Sequence, residues 1–559
     1  MQRIIECVPN FSEGRDKSVL DAISAEIAGV DGVSLLDVDP GAATHRTVFT
    51  FVGEPEPVAE AAFRAIAKAA ELIDMSKHHG AHPRMGATDV CPFVPVSGVT
   101  MEECVEVARR VGERVGRELK IPVYLYEHAA TSPDRRSLAD VRAGEYEALP
   151  AKLKDPRWKP DFGPDVFNSR AGATVVGARE FLIAYNVNLD TPDRKLANEI
   201  ALNIRETGRL KKDEKGNQVF DAAGNKVRTV GLLPAVRAVG WYIQEYGCAQ
   251  VSINLLNYAV TPPHAAFEAC VEEARKLGLR VTGSELVGLI PKAALLSAGA
   301  FYLERAGKST GVPETELAHT AVHSLGLAEL APFDPQQKVI EYRIRSGAPS
   351  LVALTTRGFA DELSSESPAP GGGSVAALCG ALGGALAAMV ANLTVGKKGL
   401  EESWDPMKAL APKGQALKDW FLYAVDEDTA AFNRVMDAFR LPGKTPEDAA
   451  AREKAVQEAT RRATEVPLGV LERSLEVMDL AEEAARRGNP NSASDAGVAA
   501  LCGRACAEGA YLNVLINLKA LTDAAWVAAT RAQAEDWRAR AVARSAEILA
   551  EVEGRIGRG

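Results

Sequence analysis

The sequence is poor in cysteine, and its few cysteines form no disulfide pattern. Eight cysteines are spread over 559 residues, at positions 7, 91, 104, 248, 270, 379, 502 and 506. Domains that depend on disulfides carry far more of them, at paired spacings. Cys502 and Cys506 lie four residues apart in an alanine-rich stretch, where buried thiols are the simpler interpretation. The cysteines therefore exclude a disulfide scaffold, and we expect a cytoplasmic protein.

Positive charge is also in short supply. The chain has 65 Lys and Arg against 75 Asp and Glu, which gives a formal charge of −10. A protein that binds the nucleic-acid backbone needs a positive surface to displace counterions, so nucleic acid is a poor candidate partner. An acidic total still allows a local basic pocket for a small anion.

Long apolar runs are rare. Residues 1–7 contain no run of signal-peptide length, so we expect no secretory leader. The longest run, Val375–Ala391, has 17 residues, fewer than the roughly 20 that a bilayer-spanning helix needs, and we predict a buried helix and no membrane partner. Small residues recur along it at i+4 steps: Ala376, Gly380, Gly384 and Ala388. We expect this smooth face to mediate close helix contact, including self-association of the chain.

What the sequence does contain is a change of composition near residue 350. Alanine makes up about 22% of residues 351–559 and about 13% of residues 1–350. Because alanine has the highest helix propensity, the C-terminal part is predicted to be all helical. The length allows about three or four domains, each with its own core. We place the joint between the two parts at Ser346–Ser350, after the strand-like segment Val339–Ile344.

Strand-like and helix-like patterns alternate before that change. The predicted strands are Ile4–Val8, Val33–Val38, Thr47–Val52, Val123–Tyr126, Phe181–Val187, Val251–Leu256 and Leu279–Thr282. The predicted helices are Pro57–Leu72, Met101–Arg117, Leu196–Glu206 and Ala265–Leu277. The alternation indicates an α/β or α+β architecture of two subdomains that meet near residues 178–182. The polar insert Lys211–Val227 is predicted to be an exposed hairpin.

The densest polar cluster is residues 78–92, a loop broken by glycine and proline that contains three histidines, an arginine, an aspartate and a cysteine. Functional side chains gather in such loops. One interpretation is a single histidine that acts as acid and base beside an arginine that binds a carboxylate. A metal site made from His78, His82, Asp89 and Cys91 is a second, although the loop lacks the helix that would align the histidines. A polar surface loop is the third.

Two further segments can converge on this loop. Asn10–Arg15 forms a turn between a predicted strand and a predicted helix, and its backbone amides are hydrogen-bond donors. Asp37–Pro40 and the pair His45 and Arg46 lie at the end of another strand. Each signal is weak alone, because residues such as Ser12 and Asp39 are common caps and turn residues.

Two motifs of the helical part carry polar groups. Gly371–Ser374 precedes the apolar helix, and its bare backbone amides can face an anion or a closely bound ligand. Asp426 and Asp428 interrupt an apolar helical stretch. Because residues two positions apart on a helix point about 200° away from each other, at most one of these two faces inward. An inward carboxylate is desolvated, which raises its pKa and suits it to act as a general acid. A solvated acidic face is the alternative.

Together these motifs resemble the formiminotransferase-cyclodeaminase family, in order and over essentially the whole chain. The resemblance is carried by Glu6–Gly14, Leu35–Asp39, His82–Ala87, Asp89–Phe93, Ala143–Leu149, Pro160–Pro164, Ala369–Val375 and Asn513–Leu518. It implies a formiminotransferase of two α/β subdomains, residues 1–180 and 181–345, followed by an all-α cyclodeaminase, residues 351–559.

The resemblance implies a bifunctional folate enzyme of histidine degradation. The first reaction would move the formimino group of N-formimino-L-glutamate to N5 of tetrahydrofolate, in its mono- or polyglutamate form. The second would close the ring to 5,10-methenyltetrahydrofolate and release ammonia. Tetrahydrofolate would be a co-substrate, and neither step demands a metal or a redox cofactor. By resemblance, the helical domain would self-associate with its active site at a dimer interface.

The resemblance also implies site residues. The transferase catalytic histidine would be His82, and the cyclodeaminase acid would be Asp428 in preference to Asp426. On chemical grounds, Arg84 can pair with a carboxylate of the substrate, and Asp39 can orient His82 or hold a cationic amidinium. The other expected substrate- and folate-binding residues are Asn10, Ser12, Gly163, Pro164, Gly172, Gly371, Gly372, Gly373 and Ser374.

Two other hypotheses stay open. A metal hydrolase would use the histidine-rich loop as a metal site. A folate-binding or scaffold protein would keep the fold without turnover, although the presence of His82 and Asp428 argues against a decayed site.

Overall fold

The computed structural model describes residues 3–41, 45–79, 83–213, 216–221, 224, 226–244, 246–344 and 350–557. The chain divides into two compact units. The first comprises Met1–Ala298 with Ala321–Gly347, and the second comprises Gly299–Thr320 with Ala348–Gly559. Each unit is described by itself below.

The described part of the chain contains the following elements. The strands are β1 (Ile4–Cys7), β2 (Asn10–Phe11), β3 (Val33–Gly41), β4 (Arg46–Gly53), β5 (Thr88–Ser97), β6 (Val123–Glu127), β7 (Thr174–Ala178), β8 (Ile183–Leu189), β9 (Val236–Ile243), β10 (Cys248–Leu255) and β11 (Val281–Val287). The helices are α1 (Lys17–Ala28), α2 (Pro55–Leu72), α3 (Met101–Arg114), α4 (Leu138–Arg142), α5 (Glu145–Lys152), α6 (Arg194–Ile204), α7 (Pro263–Lys276), α8 (Lys292–Arg305), α9 (Glu314–Ser324), α10 (Pro335–Lys338), α11 (Ile340–Arg343), α12 (Thr356–Leu363), α13 (Gly372–Asn392), α14 (Glu401–Phe439), α15 (Pro446–Arg487), α16 (Ala493–Leu518) and α17 (Ala524–Ile556).

The first sheet is mixed. β3 pairs with β4, β1 and β2 both lie between β4 and β5, and β5, β7 and β6 follow as parallel neighbours. One face packs on α1, α2 and α3 around a core that includes Ile5, Phe11, Phe49, Phe51 and Phe93, all fully buried. Since side chains alternate along a strand, Asn10 lies on the opposite face from Phe11.

Local sequence signals account for the helices on this sheet. α2 starts at Pro55, whose fixed φ suits the first helical turn, and its alanines and isoleucines form a buried stripe. α3 starts with a capping box in which the Thr100 side chain accepts from Glu103 N while Glu103 accepts from Thr100 N. A π-helical turn, Val115–Leu119, follows α3 and ends at the left-handed residue Lys120.

The second sheet is antiparallel, in the order β11-β8-β10-β9. One face buries Val187, Val251 and Ile253, while the other carries polar residues such as Asn186 and Gln250. The insert Lys211–Val227 forms antiparallel bridges within its described residues, as a hairpin would.

Helices α13 to α17 form a bundle with a core of small residues and leucines. By length and composition, α13 is a candidate to cross a membrane, and 61% of its most apolar window is buried within the protein. A Cβ at Gly380 would lie 2.6 Å from the Phe421 ring, and one at Gly384 would lie 3.0 Å from the Gly414 carbonyl oxygen. The small-residue face of α13 therefore packs inside the bundle. Our expectation that this face mediates self-association is wrong, because α14 already covers it.

The predicted fold class is confirmed: two sheet-containing domains precede an all-helical region. The predicted strand Val339–Ile344 is wrong. The chain forms α11 there, directly after α10, and within this segment only Val339 makes a bridge, to Ile290. Of the joint that we placed at Ser346–Ser350, only Ser350 lies within the described residues.

Two candidate active sites

His82, the expected transferase base, lies outside the described residues, but the structure shows what flanks it. His78 is buried, and its Nε2 is 2.9 Å from the carbonyl oxygen of His45. The two imidazole rings stack with centroids 4.5 Å apart. Burial lowers the pKa of both His45 and His78, which favours the neutral form of each ring.

Arg84 is buried and already paired. Its guanidinium donates to Glu145 at 2.9 Å and to Glu147 at 2.7 and 3.0 Å, and its Nε donates to His78 Nδ1 at 3.2 Å. A guanidinium group that already donates to two carboxylates has no free pair of N–H donors for a third carboxylate. Our expectation that Arg84 binds the carboxylate of the substrate is therefore not supported, and Arg84 instead fixes the loop that leads into β5.

Asp89, at the start of β5, is fully buried and forms ion pairs with two arginines. It accepts from the guanidinium groups of Arg46 and Arg142, the latter at 2.7 Å, and from Met85 N at 2.9 Å. Arg46 also donates from Nε to Asn10 Oδ1 at 3.1 Å. Asn10 is thus held in place beside the loop, and the strand pairing that brings it there is Asn10 with Val90.

Ser12 and Gly172 pin the loop from two sides. The Ser12 hydroxyl donates to the Gly86 carbonyl oxygen at 2.8 Å, and Ser12 N donates to Ala87 O at 2.9 Å. Gly172 has a positive φ of 70° and bridges Gly86, where a Cβ would lie 2.6 Å from Gly86 Cα. Ser12 is buried by these contacts, so its role is to hold the loop, and our expectation that it binds substrate is not supported.

Gly163 and Pro164, which we also expected to bind substrate or folate, precede Gly172 along the chain. Gly163 packs on the π-helical turn, where a Cβ at Gly163 would lie 3.2 Å from Gly116 Cα. Gly163 and Pro164 line a cavity of about 410 Å³ together with Arg117 and Lys120. Asp39 lies on the edge strand β3, exposed to solvent. Its expected contact with His82 stays a prediction.

A cleft of about 590 Å³ adjoins this loop within the first unit. It is lined by Asn10 and Arg46 and, from the neighbouring segments, by Arg136, Arg179 and Arg237. These three arginines were missed from the sequence because they lie far apart along the chain, in no motif. Glu127 and Glu180 also line the cleft, so arginines outnumber carboxylates there, as expected for an anionic ligand.

In the described part of the chain, the side chains of the metal-site hypothesis have other partners. His78 contacts His45 and Arg84, Asp89 is saturated by arginines and a backbone amide, and Cys91 faces Cys7 in the core with their sulfurs 3.6 Å apart. Among the described residues, no group of three or more His, Cys, Asp or Glu side chains is arranged to hold a metal ion.

The two candidate acids of the helical unit have different environments. Asp426 accepts from Ser350 Oγ and from Leu351 N, both at 2.7 Å, and thereby anchors the segment that precedes α12. Asp428 points to the start of α13, where Ser374 Oγ lies 3.2 Å from its Oδ2. Burial raises the pKa of Asp428, and the hydrogen bonds from Ser374 partly oppose the rise. Asp428 is therefore the carboxyl group suited to general acid catalysis.

The glycines before α13 leave room for this carboxyl group. A Cβ at Gly373 would lie 2.5 Å from Asp428 Cγ and 2.6 Å from Oδ2. Gly371, the N-cap, has no side-chain cap, and nothing lies within 4 Å of its virtual Cβ. The first turn of α13 thus starts without a side-chain cap beside the half-buried Asp428, which accepts a backbone hydrogen bond from Ser374.

Asn513 of α16 borders the same turn, and our sequence reasoning did not select it. Its Nδ2 would lie 3.4 Å from a Cβ at Gly372, on the side of the turn formed by α16, while Asp428 borders Gly373 from α14. The signal was present, because Asn513 opens one of the segments that carry the family resemblance, but no spacing rule links it to the glycines.

Comparison with known families covers nearly the whole chain. Residues 4–179 match the formiminotransferase domain, N-terminal subdomain; residues 184–345 match the formiminotransferase domain; and residues 355–536 match formiminotransferase-cyclodeaminase.

Individual relatives agree. The formimidoyltransferase-cyclodeaminase of Mus musculus is 46% identical over 99% of this chain and 100% of its own length. The glutamate formimidoyltransferase of Streptococcus pyogenes serotype M1 is 43% identical over 54% of this chain and 94% of its own length. The methenyltetrahydrofolate cyclohydrolase of Methylorubrum extorquens is 41% identical over 36% of this chain and 97% of its own length.

Proposed function

The chain belongs to the formiminotransferase-cyclodeaminase family, and from that premise we propose which of its residues carry out the two successive reactions on one folate. The chain is a bifunctional folate enzyme, a glutamate formimidoyltransferase and a formimidoyltetrahydrofolate cyclodeaminase. The observation that carries the residue assignment is the half-buried acid Asp428 packed on the backbone of Gly373, together with the arginine-rich cleft of the first unit.

In the transfer step, N5 of tetrahydrofolate attacks the amidine carbon of N-formimino-L-glutamate. The tetrahedral centre collapses by breaking the bond to the glutamate nitrogen, so a proton must leave N5 and another must reach that nitrogen. One imidazole of near-neutral pKa does both in turn, and we assign this role to His82. His78 and Arg84 hold the chain that leads into and out of the His82 loop.

The carboxylates of both substrates need cationic partners. Arg84 is occupied, whereas Arg136, Arg179 and Arg237 line the cleft that begins at Asn10. We assign the carboxylates of formiminoglutamate or of the folate tail to these three arginines, because guanidinium groups bind carboxylates strongly in a partly enclosed site.

In the second step, N10 of the folate attacks the carbon of the formimino group on N5. The bond from that carbon to its terminal nitrogen breaks, and this nitrogen leaves as ammonia after it receives the proton lost by N10 and a second proton from Asp428. The open amides at the start of α13 face the folate. The transferred carbon keeps its oxidation level in both reactions, so neither step needs a redox partner, and proton transfer accounts for each without a metal.

We also propose that the helical unit binds a second copy of the chain. Helix α16 carries the exposed apolar side chains Leu512 (63%) and Ile516 (62%) one turn apart on one face, and the adjacent helix α13 carries the exposed Leu382 (50%). Exposed apolar side chains grouped on one face mark an association surface. A reducing cytoplasm suits the eight free cysteines, and we propose that location.

The assignment is tested by following the near-ultraviolet absorbance of methenyltetrahydrofolate after formiminoglutamate and tetrahydrofolate are supplied. We expect wild-type enzyme to form it and H82A to form none, while H82A still cyclises supplied 5-formiminotetrahydrofolate. H79A is the matched control, because His79 is exposed in the same loop and should behave as wild type. Near-full transfer by H82A would show that His82 is not the base.

A further inference from the structure

Asn513 and Asp428 border the same glycine turn from two sides. Asn513 comes from α16 and contacts the position of Gly372, which is exposed, whereas Asp428 comes from α14 and contacts that of Gly373, which is buried. A ligand lying on the exposed backbone of this turn therefore meets a carboxamide on one side and a carboxyl group on the other.

The Asn513 side chain has hydrogen-bonding capacity left over. Its Nδ2 donates to the Gly509 carbonyl oxygen of its own helix at 2.9 Å, and no described group of the protein donates to its Oδ1. Asparagine in a helix interior is less favourable than alanine by several tenths of a kcal/mol, and a bond to the preceding turn stabilises no other element. Packing within the bundle thus gives no reason for this carboxamide.

Asn517, one turn further along α16, is a useful contrast. Its Nδ2 donates to the carbonyl oxygen of Ala463, which belongs to α15, at 2.9 Å. Asn517 therefore joins two helices, whereas Asn513 does not. The two residues share a helix and a chemical type, and only Asn513 borders the glycine turn.

We propose that Asn513 is a substrate-binding residue of the cyclodeaminase site, where its Oδ1 accepts an N–H of the formimino group and holds that group toward Asp428. This inference rests on the proposed function of Asp428. A carboxamide suits the task because it accepts a hydrogen bond from the amidinium without taking its proton, whereas a second carboxylate would compete with Asp428 for it.

The test measures cyclodeamination of supplied 5-formiminotetrahydrofolate by full-length N513A, N517A and D428N, with formimino transfer by the same preparations as the control for folding. We expect N513A to lose about tenfold or more in kcat/KM, as the loss of one substrate hydrogen bond in a site predicts, and to keep wild-type transfer. N517A should keep its kcat/KM at matched helical content.

The variant N513D introduces a charge, and the pH profile of its kcat distinguishes substrate binding from a purely structural role. In N513D the new carboxylate titrates together with Asp428, so the pH profile of kcat should shift relative to that of N513A. If N513A keeps the wild-type kcat/KM while D428N is inactive, the proposed role of Asn513 is wrong and the role of Asp428 is retained. Equal losses in N513A and N517A would also overturn it. Full activity of D428N would instead remove the proposed site itself.

Discussion

At the scale of single residues, the account depends on how burial and hydrogen bonding divide two aspartates that lie two positions apart. Asp426 is held by Ser350 and Leu351 as an anchor, and Asp428 is desolvated beside Ser374. Sequence reasoning limited the choice, because both residues cannot face inward on one helix. It could not decide which one does, since that depends on the position of α13.

The pH dependence of the second reaction follows from the raised pKa of Asp428. A general acid must be protonated, so the rate of cyclodeamination should fall as the pH rises through that pKa. S374A removes a hydrogen bond that favours the charged form, so the pKa rises further and the falling limb of the profile moves to higher pH. A pH–rate profile of each variant measures this. An unchanged profile in S374A would contradict the role of Asp428.

The same residue links pH to stability. The pKa of Asp428 is higher in the folded chain than in the unfolded chain, so its stabilising contribution is present at low pH and is lost as the pH rises through the folded-state pKa. D428N stays neutral at every pH. We expect the stability of D428N relative to wild type to increase from pH 4 to pH 8, measured as the thermal midpoint of the helical unit.

At the scale of elements, glycine sets how closely helices approach one another. Gly380 brings α13 against the Phe421 ring, where a Cβ would lie 2.6 Å from the ring, closer than van der Waals contact. We predict that G380A lowers the free energy of unfolding by about 1–3 kcal/mol, the usual cost of overpacking. G469A is the control, because a Cβ there meets Trp420 at 3.6 Å in ordinary contact. Chemical denaturation of both variants measures the difference.

The turn between β2 and α1 illustrates what local sequence could and could not predict. We expected free amide donors there, but the Glu13 carboxylate already accepts from the amides of Gly14, Arg15 and Asp16 at 2.8 to 3.0 Å. The strands and helices themselves were predictable, because hydrophobic periodicity is a local property. Which polar groups satisfy one another depends on distant partners, as the pairs of Arg84 with Glu145 and Glu147 show.

Short segments were the other failure. Val339–Ile344 has apolar residues in a strand-like pattern, yet it forms the four-residue helix α11, whose first residue, Ile340, is buried. Six residues carry too little periodicity to distinguish the two structures, and tertiary packing decides.

At the scale of the whole molecule, an acidic chain presents a basic cleft in one unit and a desolvated acid in the other. The composition change near residue 350 predicted the all-helical C-terminal region, because alanine content is averaged over two hundred residues. The small-residue face of α13 is filled by α14, so it is not the surface for the self-association that we propose, and the exposed apolar side chains of α13 and α16 take its place in that proposal.

This outward face makes a prediction about assembly. Replacing Ile516 with glutamate places a charge beside the exposed Leu512, one turn away on α16, so we expect I516E to dissociate to smaller species. Phe439 is 53% exposed at the end of α14, away from α16, and F439E should leave the mass unchanged. Sedimentation velocity of both variants measures the effect. Unchanged mass in I516E would contradict the assignment of this face.

The central claim is that one chain performs two reactions at two separate sites, and a mixing experiment tests it most directly. Formiminoglutamate, 5-formiminotetrahydrofolate and methenyltetrahydrofolate are quantified after reaction with H82A, with D428N and with an equal mixture of both. We expect H82A to consume no formiminoglutamate, D428N to accumulate 5-formiminotetrahydrofolate, and the mixture to form methenyltetrahydrofolate. Formation of methenyltetrahydrofolate from formiminoglutamate by either variant alone would contradict the account.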